Sequence, residues 1–160
     1  MHTITRWLAA LAAVLLLATA TAATAADDPF LGTWRLDLAK STIAHNPGVK
    51  NKEFVLSPTA DGVMITETLE IVGDPEKHVT HLPYSYGKPV PQAGPGFDAL
   101  LVEKTGDHSA TWTAMLKGAV LSKLEVVVSP DGRLMTFRYV QRASDPTGET
   151  LKDRMVYVRQ

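Results

Sequence analysis

The sequence has no cysteine. Disulfides, zinc–thiolate centres, dithiol redox chemistry and a cysteine nucleophile are therefore excluded, and the folded chain must be held by packing and backbone pairing alone. An excess of charge of one sign is also missing. The 16 Lys and Arg stand against 17 Asp and Glu, a formal net charge of −1, scattered without a basic run or an acidic tail. No clustered positive patch of the kind a nucleic acid partner requires is present. There is no Gly-x-Ser-x-Gly elbow to present a nucleophilic serine, and no glycine loop before a helix to cradle a phosphate. Aromatic residues make up only 7% of the chain, so where each ring falls is informative.

A long uncharged stretch occurs at the N-terminus. Arg6 supplies a positive charge, residues 7–20 are dominated by Leu and Ala, and small residues follow over 21–26. Ala23-Thr24-Ala25 offers a small-x-small cleavage site. The apolar core, residues 7–17, is short of the roughly 20 residues that a spanning helix needs. No cysteine follows it to carry a lipid. The pattern predicts a cleaved signal peptide over residues 1–25 and a mature domain over residues 26–160. That domain would be exported without a membrane span, to the periplasm or outside the cell.

Beyond this leader the dominant signal is period-two alternation, the mark of strands with one buried face. Trp34, Leu36 and Leu38 share one phase, against Thr33, Arg35 and Asp37 on the other. Val63, Ile65, Glu67, Leu69 and Ile71 alternate with Met64, Thr66, Thr68 and Glu70. Ala110, Trp112, Ala114 and Leu116 form another such series, as do Met135, Phe137 and Tyr139. Asp61-Gly62 and Asp131-Gly132 suit tight hairpins. Lys117-Gly118, Gly106-Asp107, Gly73-Asp74-Pro75 and the 145–148 segment also read as turns.

The count is about nine strands, within a range of roughly eight to ten. They fall near residues 30–38, 51–57, 62–72, 76–86, 97–104, 108–117, 119–129, 132–142 and 149–159. Links this short force consecutive strands to pair antiparallel. The predicted fold is all-β: one antiparallel meander closed into an up-and-down barrel, which removes its edges. Residues 38–41 can form a short helical turn after the first strand, ended by Pro47-Gly48. Residues 87–96 hold Pro89, Pro91 and Pro95, so they cannot be a paired central strand. They are expected to form a loop, either a flap at the barrel mouth or a wandering surface connection.

The opening Phe30-Leu31-Gly32-Thr33-Trp34-Arg35-Leu36 resembles the Gly-x-Trp first strand of the calycins: the lipocalins, the fatty-acid-binding proteins and their bacterial lipocalin-like exported relatives. The hairpin series and the ending Met155-Val156-Tyr157-Val158-Arg159-Gln160 also resemble that group. The resemblance implies a lipocalin-like barrel in which Trp34 packs across the closed end beneath a basic side chain. Arg154 or Arg159 would be that partner, with Gly32 allowing close approach at the floor. The Arg-x-Tyr pair that grips a carboxylate in fatty-acid-binding proteins is not reproduced, because Met155 stands two residues before Tyr157.

Glu67 lies in an apolar phase, so it is expected to face the interior. A carboxylate there must be paired or hydrogen-bonded. It would orient a ligand, act as a general base, or be satisfied structurally by a buried Arg or Tyr. On the fourth strand, His78, Tyr84 and Tyr86 share one phase and could form an aromatic, hydrogen-bonding wall. His78 and His81 point to opposite faces and cannot share an ion, so no metal site and no cofactor are expected. Trp112 between Ala110 and Ala114 either walls a cavity or fills a taper, and Phe137 joins it on the inward phase.

Three functions from different classes follow. One is a binding protein holding a small apolar or amphipathic molecule through Glu67, His78, Tyr84, Tyr86, Trp112 and Phe137. Another is an isomerase, cyclase or lyase using Glu67 with His78 or a tyrosine on an apolar substrate. The last is an envelope interaction or inhibitor protein that uses its outer surface. A hollow interior, a hydrogen bond from Glu67 to His78 or a tyrosine (direct or through one water), and a filled barrel with an exposed apolar patch would respectively distinguish them.

Overall fold

The computed structural model describes residues 28–43, 48–94, 96–144 and 152–160. The leader expected over residues 1–25, Pro47 and the turn expected over residues 145–148 lie outside them. Ten strands follow in chain order: β1 (Gly32–Leu36), β2 (Val49–Thr59), β3 (Gly62–Ile71), β4 (Lys77–Tyr84), β5 (Pro89–Pro91), β6 (Ala99–Gly106), β7 (Ser109–Leu116), β8 (Ala119–Val128), β9 (Leu134–Arg142) and β10 (Arg154–Arg159). A 3-10 turn at Leu38–Lys40 follows β1, capped by the Asp37 carboxylate, which accepts from the Ala39 and Lys40 amides. This is the helical turn anticipated from the sequence.

The strands form one antiparallel sheet in the order β4-β3-β2-β1-β10-β9-β8-β7-β6-β5. Pairing of β1 with β10 brings the two ends of the meander together, Trp34 opposite Arg159 and Leu36 opposite Tyr157. The sheet curls into a nearly closed barrel around one aromatic and aliphatic core that includes Trp34, Phe54, Ile65, Val102, Val126 and Tyr157.

Two features depart from the sequence expectation. Residues 89–91 are a short strand at the sheet edge rather than loop, with Val90 opposite Leu100. An edge is where a proline-flanked strand is tolerated, because its missing N–H groups face no partner. The barrel is also not fully closed by a ladder. β4 and β5 share no strand pairing, and the seam is bridged by isolated pairs, Ser85 with Lys88 and Tyr86 with Val102. The Gln92 side chain completes it, its amide donating to the Pro83 and Val90 carbonyls at 2.8 and 2.9 Å. Pro83, Pro89 and Pro91 lack the N–H groups that a continuous ladder there would use.

The hairpins are tight enough to restrict side chains. At the β2–β3 turn, a Cβ on Gly62 would lie 2.2 Å from the Tyr84 carbonyl oxygen. Backbone cannot move aside as a flexible side chain does, so Gly62→Ala is expected to lower stability by about 1–3 kcal/mol. A urea midpoint unchanged from the wild type would show that β4 does not pass against this turn.

Candidate functional site

The inner faces of β2, β3, β4, β6, β7, β8, β9 and β10 do not meet completely. They leave a cavity of about 300 Å³ in the half of the barrel away from the β1–β10 floor. Six aromatic residues line it: Phe54, Phe97, Trp112, Phe137, Tyr139 and Tyr157. Leu82, Leu100, Leu121, Leu124 and Met155 supply most of the remaining apolar wall. The rings support one another. Trp112 stands edge-on to Phe137 at 5.1 Å, and Phe54 lies 5.0 Å from Tyr157. Such mutual contact fixes rotamers, so the void persists although it is lined by bulky groups.

One ion pair interrupts the apolar wall. The Lys52 ammonium lies 3.0 Å from the Glu67 carboxylate, each side chain about a fifth exposed, at 22% and 20%. Register explains the meeting: Phe54 stands opposite Glu67 and Lys52 opposite Leu69 on β2 and β3, so the two charges are diagonal neighbours on the inner face. The ammonium also sits 5.1 Å from the centroid of the Phe54 ring. Tyr157 is buried beside the pair. Burial, and then the neighbouring Glu67 carboxylate, push its phenol well above the ordinary range. The Tyr157 hydroxyl donates to the Met155 sulfur at 3.9 Å, a weak acceptor.

A second, more polar recess of about 310 Å³ shares Lys52, Tyr139 and Met155 with the first. Leu36, Ile43, Val49, Arg142 and Asp153 complete it. Arg142 packs over the Tyr139 ring at 5.2 Å. The lumen thus passes from an aromatic chamber to a polar vestibule near the 3-10 turn, with Lys52 and Tyr139 at the junction.

The structure distributes the sequence candidates over three places. Glu67, Trp112 and Phe137 line the cavity. Tyr84 and Tyr86 lie nearer the floor, where Tyr86 donates to an Asp28 carboxylate oxygen at 2.7 Å and its hydroxyl is 3.4 Å from that of Tyr84. His78 is 47% exposed at the far end of β4 and bonds to Asp74 at 2.8 Å, while Glu67 bonds to Lys52. The Glu67–His78 pairing considered for proton transfer is therefore not assembled, while Tyr157 stands near Glu67. His81 bonds to Thr66 at 3.2 Å on the outer surface. Among the described residues, no group of three His, Asp or Glu side chains is placed to hold a metal ion.

Lys52, Leu121 and Phe97 were not singled out from sequence. Lys52 carried the same signal as Glu67, a charge in the apolar phase of Phe54 and Leu56. Leu121 had no such signal: a bulge between Ala114 and Met115 breaks the β7–β8 register and shifts its facing.

The floor is a separate piece of construction. Arg159 stacks over the Trp34 ring at 4.1 Å, and its guanidinium donates to the carbonyls of Leu31, Pro29 and Gly132 at 2.6–2.7 Å. Gly32 makes room, since a Cβ there would lie 2.6 Å from the guanidinium. Arg154 is at the opposite end, its backbone paired with Thr42.

The buried phenols give a pH prediction. Burial pushes up Tyr84 and Tyr157, and burial with neighbouring Tyr84 and Asp28 pushes up Tyr86. A raised folded-state pKa contributes stability that is complete below the unfolded value, about 10 for tyrosine, and is lost as pH rises through the folded one. Stability should fall above about pH 10, by up to about 1.4 kcal/mol per pH unit for each of Tyr84 and Tyr157. Urea midpoints across that range check it, and Tyr84→Phe should flatten the decline. A wild-type profile as flat as that of the variant would show the Tyr84 phenol ionising freely in the folded protein.

No family model and no curated protein matches the sequence. Solved structures do match the fold. "As-p18, an extracellular fatty acid binding protein" aligns with a TM-score of 0.59 at 13% identity, over 83% of this chain and 97% of that one. A Schistosoma mansoni fatty acid binding protein in complex with arachidonic acid aligns with a TM-score of 0.51 at 15% identity, over 84% of this chain and 98% of that one. With the ten-stranded meander, these likenesses establish a calycin fold of the lipocalin and fatty-acid-binding-protein type.

Proposed function

We propose that the protein is an exported carrier that binds a small hydrophobic or amphipathic molecule inside its barrel. The observation that carries this is the cavity of about 300 Å³, which lies at the lower end of the size usual for ligand sites. Its wall is aromatic, with a single ion pair to orient a polar group. A barrel serving only as an outer surface has no need to keep such a void, because each unfilled methyl-sized space costs about 1 kcal/mol. The two structural neighbours are named as fatty acid binding proteins, one of them extracellular, which adds weight to a hydrophobic ligand.

Export rests on the leader pattern of Arg6, the apolar run and Ala23-Thr24-Ala25. Asp28, three residues past the expected cleavage after Ala25, already accepts hydrogen bonds from the Phe30 amide and the Tyr86 hydroxyl.

Protein purified from the envelope and medium of its source, then denatured and extracted for mass spectrometry, should release a hydrophobic small molecule in near-equal amount. Its mature N-terminus should be Ala26 or a residue next to it. Repeated recovery of empty protein that also fails to take up a neutral hydrophobic dye would end the carrier proposal. An intact N-terminus would end the export part of it.

A further inference from the structure

The two charges facing the aromatic chamber are paired with each other, and this bears on what the chamber accepts. Lys52 and Glu67 in the chamber are one cation and one anion, 3.0 Å apart. Arg142 and Asp153 lie outside the chamber, in the vestibule, where Arg142 packs over the Tyr139 ring. The other polar side chains of the chamber wall include the Tyr139 and Tyr157 phenols and the Ser122 hydroxyl. A carboxylate entering the chamber would meet no uncompensated cation. A carboxylate that accepts from a spare Lys52 N–H must stand beside the Glu67 carboxylate, two anions sharing one cation, which is unfavourable in a low-dielectric wall.

A hydroxyl group faces no such conflict. The Lys52 ammonium has three N–H donors and the Glu67 carboxylate several lone pairs, so the bond between them leaves capacity on both. One O–H can accept from the first while donating to the second, making two charge-assisted bonds without disturbing the pair. The Tyr157 phenol, which donates to the Met155 thioether, stands beside them.

Resting on the carrier reading, we infer that the chamber is built for a neutral, hydroxyl-bearing amphiphile, its O–H bridging Lys52 and Glu67 and its hydrocarbon part among the rings. At about 30 Å³ per atom-sized place, the share of a water molecule in the liquid, the chamber holds about ten non-hydrogen atoms. That is a molecule the size of a medium-chain alcohol.

Calorimetric titration of the purified protein with decanol and with decanoate, at about pH 8 where the acid is ionised, separates the possibilities because the two share one hydrocarbon chain. Decanol should bind at least about tenfold more tightly, the scale of one charge-assisted hydrogen bond. Glu67→Gln, which frees Lys52 to meet an anion, should shift the preference toward decanoate by about the same factor. Equal or tighter binding of decanoate by the wild type overturns the inference and leaves the carrier reading standing. So does a neutral fluorescent hydrophobe, N-phenylnaphthylamine, entering while both decyl compounds fail, or an unchanged preference in a folded Glu67→Gln variant. If that variant does not fold, the wild-type ratio alone decides. Failure of the alcohol, the acid and the neutral dye together removes the carrier reading itself.

Discussion

Trp34→Ala is expected to lower the unfolding free energy by about 4 kcal/mol or more and the melting temperature by roughly 10–20 °C. The indole is fully buried, and truncating a buried aromatic costs about 3–5 kcal/mol through lost transfer energy and the cavity left behind. Two further losses add to it. The indole N–H donates to the Phe30 carbonyl at 2.8 Å, and the Arg159 guanidinium rests on the ring at 4.1 Å. Arg159 ties the segment before β1 to the β8–β9 turn through its bonds to Pro29, Leu31 and Gly132. A guanidinium without its ring would lose the surface that positions these three bonds.

Because domains of this size are stable by only about 5–15 kcal/mol, the variant should sit near the edge of folding. Trp34→Phe keeps a ring and loses the N–H donor, so about 1–3 kcal/mol is expected for it. Guanidinium chloride unfolding of both variants checks the order. A cost below about 1 kcal/mol for the alanine variant would mean that the floor does not hold the ends of the meander together.

Filling the chamber should have the opposite profile, a large loss of binding with little loss of stability. Ala114 lines the cavity one inward position from Trp112 on β7. Ala114→Phe places a six-carbon ring into room for about ten atoms. Affinity for a neutral hydrophobic dye is expected to fall by about 100-fold or more, equivalent to about 2.7 kcal/mol. The new ring packs against Phe137 and Leu124 in space that was empty, so the overpacking penalty of about 1–3 kcal/mol seen in filled cores should not apply. Dye fluorescence and urea unfolding on the same sample separate the two readouts. Unchanged dye affinity together with reduced stability would show that Ala114 faces packed core, and that the dye binds elsewhere.

The charged pair shows how far pattern reasoning reaches. Glu67 could be placed on an inner face because it stands in phase with Ile65 and Leu69, and Lys52 stands in phase with Phe54 and Leu56 for the same reason. That these two out-of-place charges belong to each other depends on the β2–β3 register, which sets Phe54 opposite Glu67. His78 illustrates the converse. It shares a phase with Leu82 and Tyr84, but phase states a face and not a height along the barrel. At its height β4 is a sheet edge at the rim, and the imidazole turns to Asp74 on the adjoining turn. Tyr84 and Tyr86 share that phase too, yet they end beside the floor, their hydroxyls in contact and that of Tyr86 donating to Asp28.

The succession of strands, their antiparallel hairpin pairing and the short turn after β1 were written in local sequence, whereas the floor role of Gly-x-Trp came from the resemblance to the calycins. The local features depend on alternation, turn chemistry and short links, and each acts within a few residues. Whether the barrel is hollow, which rings wall the void, how the seam is sealed and which charge neutralises Glu67 were decided by the tertiary structure alone. These depend on bulges, register and the summed volumes of side chains far apart in the chain. A cavity is a deficit in that sum, and no single segment records it.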